Sequence, residues 1–239
     1  MSRVQARLAS SENGTITAWA PNVDPTNALL VVDNSGSEAI YKGLALAANE
    51  TGNFLYATDF HNGKIDVFDK DFTPATPPGS FNDPLLPAGF VPFGIRNING
   101  NLYVTYAKQN ASKHDDFDFP GFGFVDKFSP KGKLLQRLKH GPWLNAPWGV
   151  ALAPANFGFF SNHLFIGNAG SGQIAVYDAD TGRFDGLLRD SNGHAIQNDR
   201  LWALRFGNDH AAGPSNWLFF TAGISDEAHG LFGFFTPAQ

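Results

Sequence analysis

Two short segments each contain a carboxylate followed two positions later by a histidine, and each segment comes just after a short apolar stretch. Asp59 and His61 follow one such stretch, and Glu227 and His229 follow another near the end of the chain. Imidazole and carboxylate groups together suit a divalent cation, or a general base beside an electrostatic partner. The sequence therefore makes these four residues candidates for a metal site that would hold calcium or zinc.

A second role is open to the residues that end apolar stretches. Asp and Asn at the end of a strand commonly accept hydrogen bonds from the backbone of their own turn. Asp59 lies before Asn62-Gly63, and Asn168 lies before Ser171-Gly172, so both fit this capping role. Turn capping and ligand binding remain alternative interpretations for both residues.

The apolar stretches are copies of one short sequence motif, and each copy predicts a strand. They recur at intervals of about 50 to 60 residues, which is typical of propellers and solenoids. A short strand beginning near an aromatic residue or glycine precedes each copy, and a strand that alternates apolar and polar residues follows it. The four copies are Phe54–Asp59, Leu102–Ala107, Leu164–Ala169 and Leu218–Gly223.

Fourth strands are expected in three of these units, around Gly79–Phe81, Leu134–Leu138 and Phe184–Leu188. Four antiparallel strands per unit make one propeller blade. A hairpin across Glu12-Asn13-Gly14 and a strand at Leu29–Val32 form most of a further unit, which lacks an innermost strand. The sequence therefore predicts one all-β domain over residues 1–239, a β-propeller of four-stranded antiparallel blades with about five blades.

In a propeller, loops leading into the innermost strands share one face with loops between second and third strands, around the central channel. Lys42 falls on that face, and Trp148 and Trp202 begin innermost strands, where they either pack the channel or offer a stacking surface. The candidate channel-face residues are Asp59, His61, Tyr106, Asn168, Trp148, Trp202, Arg200, Glu227 and His229.

The longest loop on this face runs from Lys108 to Gly123, and long loops on rigid scaffolds are often functional. Its residues Asp115, Asp116 and Asp118 offer oxygen ligands suited to calcium, although their spacing is not that of an EF-hand. A flexible lid over the channel mouth is the favoured interpretation of this loop, and a surface loop without a role is the alternative.

Several of these stretches resemble an uncharacterised family of secreted β-propellers related to the NHL-repeat propellers, with bacterial members, some bearing PEP-CTERM sorting tails, and fungal members. The resemblance covers nearly the whole chain and is carried by Tyr41–Ala45, Phe54–Asp69, Asn145–Pro154 and Gly223–Gly233. It implies a six-bladed propeller and export from the cytoplasm, without an assigned activity.

Family members carry about another blade and a half, including a signal peptide, before the stretch that matches Gly14–Trp19. This sequence shows neither the extra blade nor the apolar core of a signal peptide. An incomplete ring would expose two sheet edges, which can pair with other chains. We expect a five-bladed ring in which the N-terminal strands share a blade with Leu231–Thr236, and the alternative is completion by another copy.

Composition narrows the possible functions. The net charge is −5 without a basic block, which argues against nucleic acid as a partner. The chain has no apolar run long enough to span a membrane. It has no cysteine, which excludes disulfides, thiolate nucleophiles and cysteine-ligated zinc.

Three functions remain. The leading one is a propeller that binds a small molecule or a protein at its channel face. The first alternative is a metal-dependent hydrolase or lyase, similar to lactonases or amidating lyases, with a divalent ion in the channel. The second is a self-assembling module, in which copies complete each other's rings as a homo-oligomer.

Overall fold

A computed structural model gives the structure of residues 7–237, which are almost entirely strands and turns. The strands are β1 (Arg7–Ser10), β2 (Thr15–Trp19), β3 (Leu29–Asp33), β4 (Tyr41–Asn49), β5 (Gly52–Asp59), β6 (Lys64–Phe68), β7 (Phe90–Ile98), β8 (Asn101–Lys108), β9 (Gly123–Phe128), β10 (Leu134–Arg137), β11 (Pro147–Leu152), β12 (His163–Asn168), β13 (Ile174–Asp178), β14 (Phe184–Leu187), β15 (Leu201–Phe206), β16 (Leu218–Ile224) and β17 (His229–Phe235). One short 3-10 turn covers Ser35–Ser37.

These strands form five antiparallel sheets, each a meander in chain order, and the chain is a β-propeller of about five blades. Sheet 1 contains β1–β3, sheet 2 β4–β6, sheet 3 β7–β10, sheet 4 β11–β14 and sheet 5 β15–β17. Tight turns join neighbouring strands. For example, β7 and β8 are joined by Asn99-Gly100, where both residues have a positive φ, as a two-residue type I′ hairpin requires.

Two details of the predicted blades are wrong. Gly79–Phe81 is not a fourth strand of sheet 2, because the amides of Gly79 and Phe81 donate to the carbonyls of Lys131 and Gly132 in the β9–β10 turn of sheet 3. The N-terminal strands also do not share a blade with Leu231–Thr236. Within residues 7–237, β17 pairs with β16 and β1 pairs with β2, in separate sheets.

The core lies between successive sheets. Separate clusters of buried apolar side chains fill the space between sheets 1 and 2, 2 and 3, 3 and 4, and 4 and 5. No such cluster joins sheet 5 to sheet 1 in the part of the chain that the structure describes. Correspondingly, Leu29 and Leu30 of sheet 1 and Phe232 and Phe234 of sheet 5 are exposed.

The innermost strands β4, β7, β11 and β15 are neighbours in chain order and approach each other main chain to main chain. A Cβ atom on Gly94 would lie 2.3 Å from the carbonyl oxygen of Trp148, and one on Gly149 would lie 2.4 Å from that of Trp202. Only glycine leaves room for this contact. Backbone contact therefore sets the spacing of the blades around the channel.

No helix in residues 7–237 has the length and apolar character needed to cross a membrane.

Candidate functional site

A small cavity of about 70 Å³ lies at the centre of the propeller, and every sheet contributes to its wall. The loop between β1 and β2 supplies a carboxylate, and the starts of β4, β7, β11 and β15 supply the cationic and aromatic side chains. The lining residues are Glu12, Lys42, Phe93, Asp115, Asp116, Trp148, Ala169, Arg200, Trp202 and Glu227. The cavity therefore lies where the repeat predicted the channel face.

Lys42 lies between two carboxylates from different sheets. Its Nζ is 3.0 Å from Asp115 Oδ1 and also contacts Glu12 Oε1. The Lys42 side chain is largely buried, which alone would lower its pKa, but the hydrogen bonds to Glu12 and Asp115 raise the pKa above its usual value. Sheets 1, 2 and 3 are therefore joined at the cavity by one buried cation.

Arg200, which also lines the cavity, forms a second ion-pair cluster. Its Nη1 is 2.8 Å from Asp118 Oδ2 and 3.5 Å from Asp116 Oδ2. Burial, together with a hydrogen bond and repulsion from Asp116, raises the pKa of Asp118 to about 7. Asp118 is therefore partly protonated near neutral pH.

The acidic loop is fixed over the cavity by these two clusters. Asp115 pairs with Lys42 of sheet 2, and Asp116 and Asp118 pair with Arg200 of sheet 5. The position predicted for the lid is therefore observed, and its flexibility stays a prediction. The three carboxylates contact cationic side chains instead of forming the calcium site that the sequence also allowed.

The aromatic wall consists of two indole rings and a phenyl ring. The rings of Trp148 and Trp202 have centroids 6.1 Å apart at an angle of 49°. Trp148 Nε1 donates across the channel to the carbonyl oxygen of Lys42 at 2.9 Å, which fixes the orientation of this ring. Trp202 is partly exposed, and Phe93 is buried beside them.

Two acceptor atoms next to the cavity have no hydrogen-bond partner among the described residues. They are Asp118 Oδ1 and Asn145 Oδ1, and both are buried. Both lie beside Gly170, where an added Cβ would be 2.7 Å from the Asp118 oxygen and 2.5 Å from the Asn145 oxygen. Two neighbouring acceptors can be satisfied by a proton on Asp118 or by a donor placed between them.

Of the nine predicted channel-face residues, Trp148, Trp202, Arg200 and Glu227 line the cavity. Asp59 and Asn168 are fully buried, and each hydrogen-bonds its own turn and also the segment that leads into the innermost strand of its sheet. Asp59 Oδ1 accepts hydrogen bonds from the amides of Ile40 and Asn62, both at 3.2 Å. Asn168 Oδ1 accepts from the amide of Asn145 at 2.9 Å, and its Nδ2 donates to the carbonyl of Gln173 at 3.1 Å.

Tyr106, His61 and His229 do not line the cavity. The hydroxyl of Tyr106 points into sheet 3, beside the buried Asp126, and its pKa is raised well above normal by burial and by that carboxyl group. The nearest ionic partner of His61 is Glu38, whose Oε2 is 3.6 Å from His61 Nε2. His229 is an exposed residue at the start of β17.

The proposed metal ligands are therefore not brought together. Asp59 is engaged by the amides of Ile40 and Asn62, His61 faces Glu38, and of the four residues only Glu227 lines the cavity. Within residues 7–237, no group of three or more His, Asp or Glu side chains is arranged to hold a metal ion. The four predicted residues do not fit a divalent-metal centre.

Sequence reasoning missed Glu12 as a site residue. The Glu12-Asn13-Gly14 turn joins β1 to β2, and the His61-Asn62-Gly63 turn joins β5 to β6; the Asn-Gly pair that they share is the signal in the sequence that points to Glu12.

Comparison with known proteins places the chain among propellers without giving it a family. No protein-family model matches it. An uncharacterised protein of Acanthamoeba polyphaga mimivirus is 37% identical over 230 residues, which cover 94% of this chain and 41% of that protein. Two further uncharacterised mimivirus proteins match, and the chain covers 56% and 62% of them. The chain thus spans about half the length of these relatives.

Solved structures resemble the chain at the level of the fold. A gluconolactonase from Xanthomonas campestris has a TM-score of 0.54 and 16% identity, and the match covers 90% of this chain and 78% of that one. A chain of the nidogen/laminin complex has a TM-score of 0.51 and 13% identity, and the match covers 98% of this chain and 94% of that one. The molecule is therefore a β-propeller with a small acidic and aromatic cavity at its centre.

Proposed function

We propose that this propeller binds a small polar ligand in its central cavity. The observation that supports the proposal is the composition of the wall, in which all five sheets supply charged or aromatic side chains to one enclosed point. Ligand pockets typically combine aromatic walls with a few convergent polar groups. The ion pairs of Lys42 and Arg200 hold those groups in place before a ligand arrives.

Thermal stabilisation by a panel of small amines, carboxylates and sugars tests this proposal. Trp202→Ala removes one wall of the cavity at a partly exposed position, and Phe159→Ala, a highly exposed aromatic outside the cavity, is the matched control. Ligands that stabilise the parent and the control variant but not Trp202→Ala support the proposal. A panel in which no compound distinguishes Trp202→Ala from the parent contradicts it.

A hydrolase similar to lactonases is the second candidate function. The paired carboxyls of Asp116 and Asp118 favour it, because a carboxyl group with a pKa of about 7 can exchange protons at neutral pH. The likeness to a gluconolactonase is compatible with this candidate. Hydrolysis of a sugar lactone, lost in Asp118→Asn and unaffected by a chelator, would support a metal-free version. Absence of turnover, with or without added calcium or zinc, would argue against both versions.

Self-assembly is the third candidate, and the exposed apolar side chains of sheets 1 and 5 favour it. Light scattering over a hundredfold range of protein concentration tests it. A mass that stays monomeric throughout would contradict it.

We further propose that residues 1–239 form a single domain of a secreted propeller related to the NHL-repeat family. The sequence resemblance supports the relationship and the export. Detection of the protein outside the cytoplasm of its cells would test this proposal, and a strictly cytoplasmic distribution would count against it.

A further inference from the structure

The cavity is acidic. Four carboxylates line it, those of Glu12, Asp115, Asp116 and Glu227, against the two cations Lys42 and Arg200. The formal balance is two negative charges in excess. A positively charged ligand would reduce the repulsion among these carboxylates, whereas an anion would increase it.

The two cations are also occupied. Lys42 contacts Glu12 and Asp115, and Arg200 contacts Asp116 and Asp118. A bound anion would have to replace one of these carboxylates, and the displaced carboxylate would lose its partner in a partly buried site. The wall therefore disfavours anionic ligands for a second reason.

Glu227 differs from the other carboxylates of the wall. It makes no ion pair and no side-chain hydrogen bond with any residue in the range 7–237, although it lines the same cavity. It is the wall carboxylate that a ligand can use without breaking an existing contact. Its carboxylate is exposed to solvent and is therefore available to a cation or a hydrogen-bond donor that enters the cavity.

The indole rings complete the site. Trp148 is held by its hydrogen bond to Lys42, and Trp202 lies beside it. A cation over an indole face is attracted by the ring quadrupole, and tryptophan is the strongest of the aromatic residues in this role. Carboxylates together with indoles favour an organic ammonium group over a metal ion, because an indole supplies no metal ligand.

The size of the cavity limits what enters it. Its volume of about 70 Å³ is well below the ~300 Å³ or more of pockets that enclose whole drug-sized ligands. The cavity can therefore take the headgroup of a ligand, while the remainder of the molecule extends outward past the acidic loop. Asn145 Oδ1, which is buried and has no partner within residues 7–237, lies close by as an additional acceptor.

We propose that the central cavity recognises an alkylammonium headgroup, with Glu227 as its counter-ion and Trp148 and Trp202 as its aromatic walls. This inference rests on the proposed ligand-binding function and names the chemical class of the ligand.

Calorimetric titration of the full chain with choline and with 3,3-dimethylbutan-1-ol tests the inference, because the two molecules have nearly the same shape and differ in charge. We expect choline to bind at least tenfold more tightly than the neutral alcohol. Acetate should not bind. Quenching of tryptophan fluorescence by choline provides an independent measurement.

Two variants link that binding to the site. Glu227→Gln keeps the size of the side chain and removes its charge, and it should weaken choline binding at least fivefold. Glu50→Gln, at an exposed glutamate outside the cavity, is the matched control and should leave binding unchanged. The melting temperature of each variant shows whether it is folded. Trp202→Ala, which leaves Glu227 in place, should also weaken choline binding.

The outcomes separate this inference from the function on which it rests. If neutral or anionic compounds bind and choline does not, the cavity is a ligand site and the ammonium assignment is overturned. If no compound of either panel binds, both proposals fail. If calcium chloride binds with the same dependence on Glu227 and choline does not compete with it, the cavity is a metal site and the inference is wrong.

Discussion

Replacing Asp126 with asparagine tests how the protein accommodates a carboxyl group inside sheet 3. Asp126 is fully buried on β9, with Arg137 Nε 3.6 Å from its Oδ1. Arg137 is mainly engaged by Asp83, to which its Nε donates at 2.5 Å. Burial, followed by repulsion from Asp83, raises the pKa of Asp126 from 3.8 to about 8.

The sign of the pH effect follows from that shift. Between pH 4 and 8 the unfolded chain has released the Asp126 proton, while the folded chain still holds it. The folded state therefore binds more protons, and the Asp126 contribution to the free energy of unfolding falls by about 1.4 kcal/mol per pH unit. Allowing for partial ionisation near pH 8, the loss between pH 6 and pH 8 is about 2 kcal/mol.

Asparagine is neutral at every pH in this range and can still donate a hydrogen bond to Asp83. We expect Asp126→Asn to remove the loss, so that its stability relative to the parent increases by about 2 kcal/mol between pH 6 and pH 8. Urea unfolding at both values measures the difference. Asp71→Asn, at an exposed carboxylate, is the control and should show no such change. A constant difference between Asp126→Asn and the parent at the two pH values would refute the argument that Asp126 is protonated in the fold.

Two further predictions concern the channel. Gly94→Ala places a methyl group 2.3 Å from the carbonyl oxygen of Trp148 and should lower the free energy of unfolding by about 3 kcal/mol. The control Gly36→Ala meets no neighbour and should change the free energy of unfolding by less than ~0.5 kcal/mol. Equal stabilities of the two variants in urea unfolding would contradict the close approach of the two strands. Choline should bind about fivefold more tightly at pH 8 than at pH 6, because Asp118 ionises between these values and adds a negative charge near the cavity. Titrations of Asp118→Asn should show a flat profile, and a parent profile that is equally flat would contradict this.

The strands were predictable because the repeated units can be aligned with one another, which shows where each strand lies within its unit. Each copy of the apolar motif is the second strand of a sheet, with one predicted strand before it and one after it. Gly79–Phe81 was not predictable in the same way. Its backbone bonds to the next sheet, a contact between residues about 50 positions apart that no local pattern encodes.

The site was predictable only in part, because a position at the end of a strand does not fix the direction of its side chain. Trp148 and Glu227 point into the cavity, whereas Asp59 and Asn168 fold back onto their own turns, as the capping interpretation allowed. The pairing of Asp115 with Lys42 depends on the path of a long loop, for which the sequence offers no repeat to compare.

The close approach of Gly94 to Trp148 and of Gly149 to Trp202 has a consequence for how such a protein can diverge. The frame around the channel is set by main-chain atoms, while the chemistry inside it is set by side chains at the edges of that frame. Substitutions at Phe93, Trp202 or Glu227 can therefore change what the cavity accepts without changing the spacing of the blades. Related chains that keep the two glycines and vary the wall would share this scaffold and differ in their ligands.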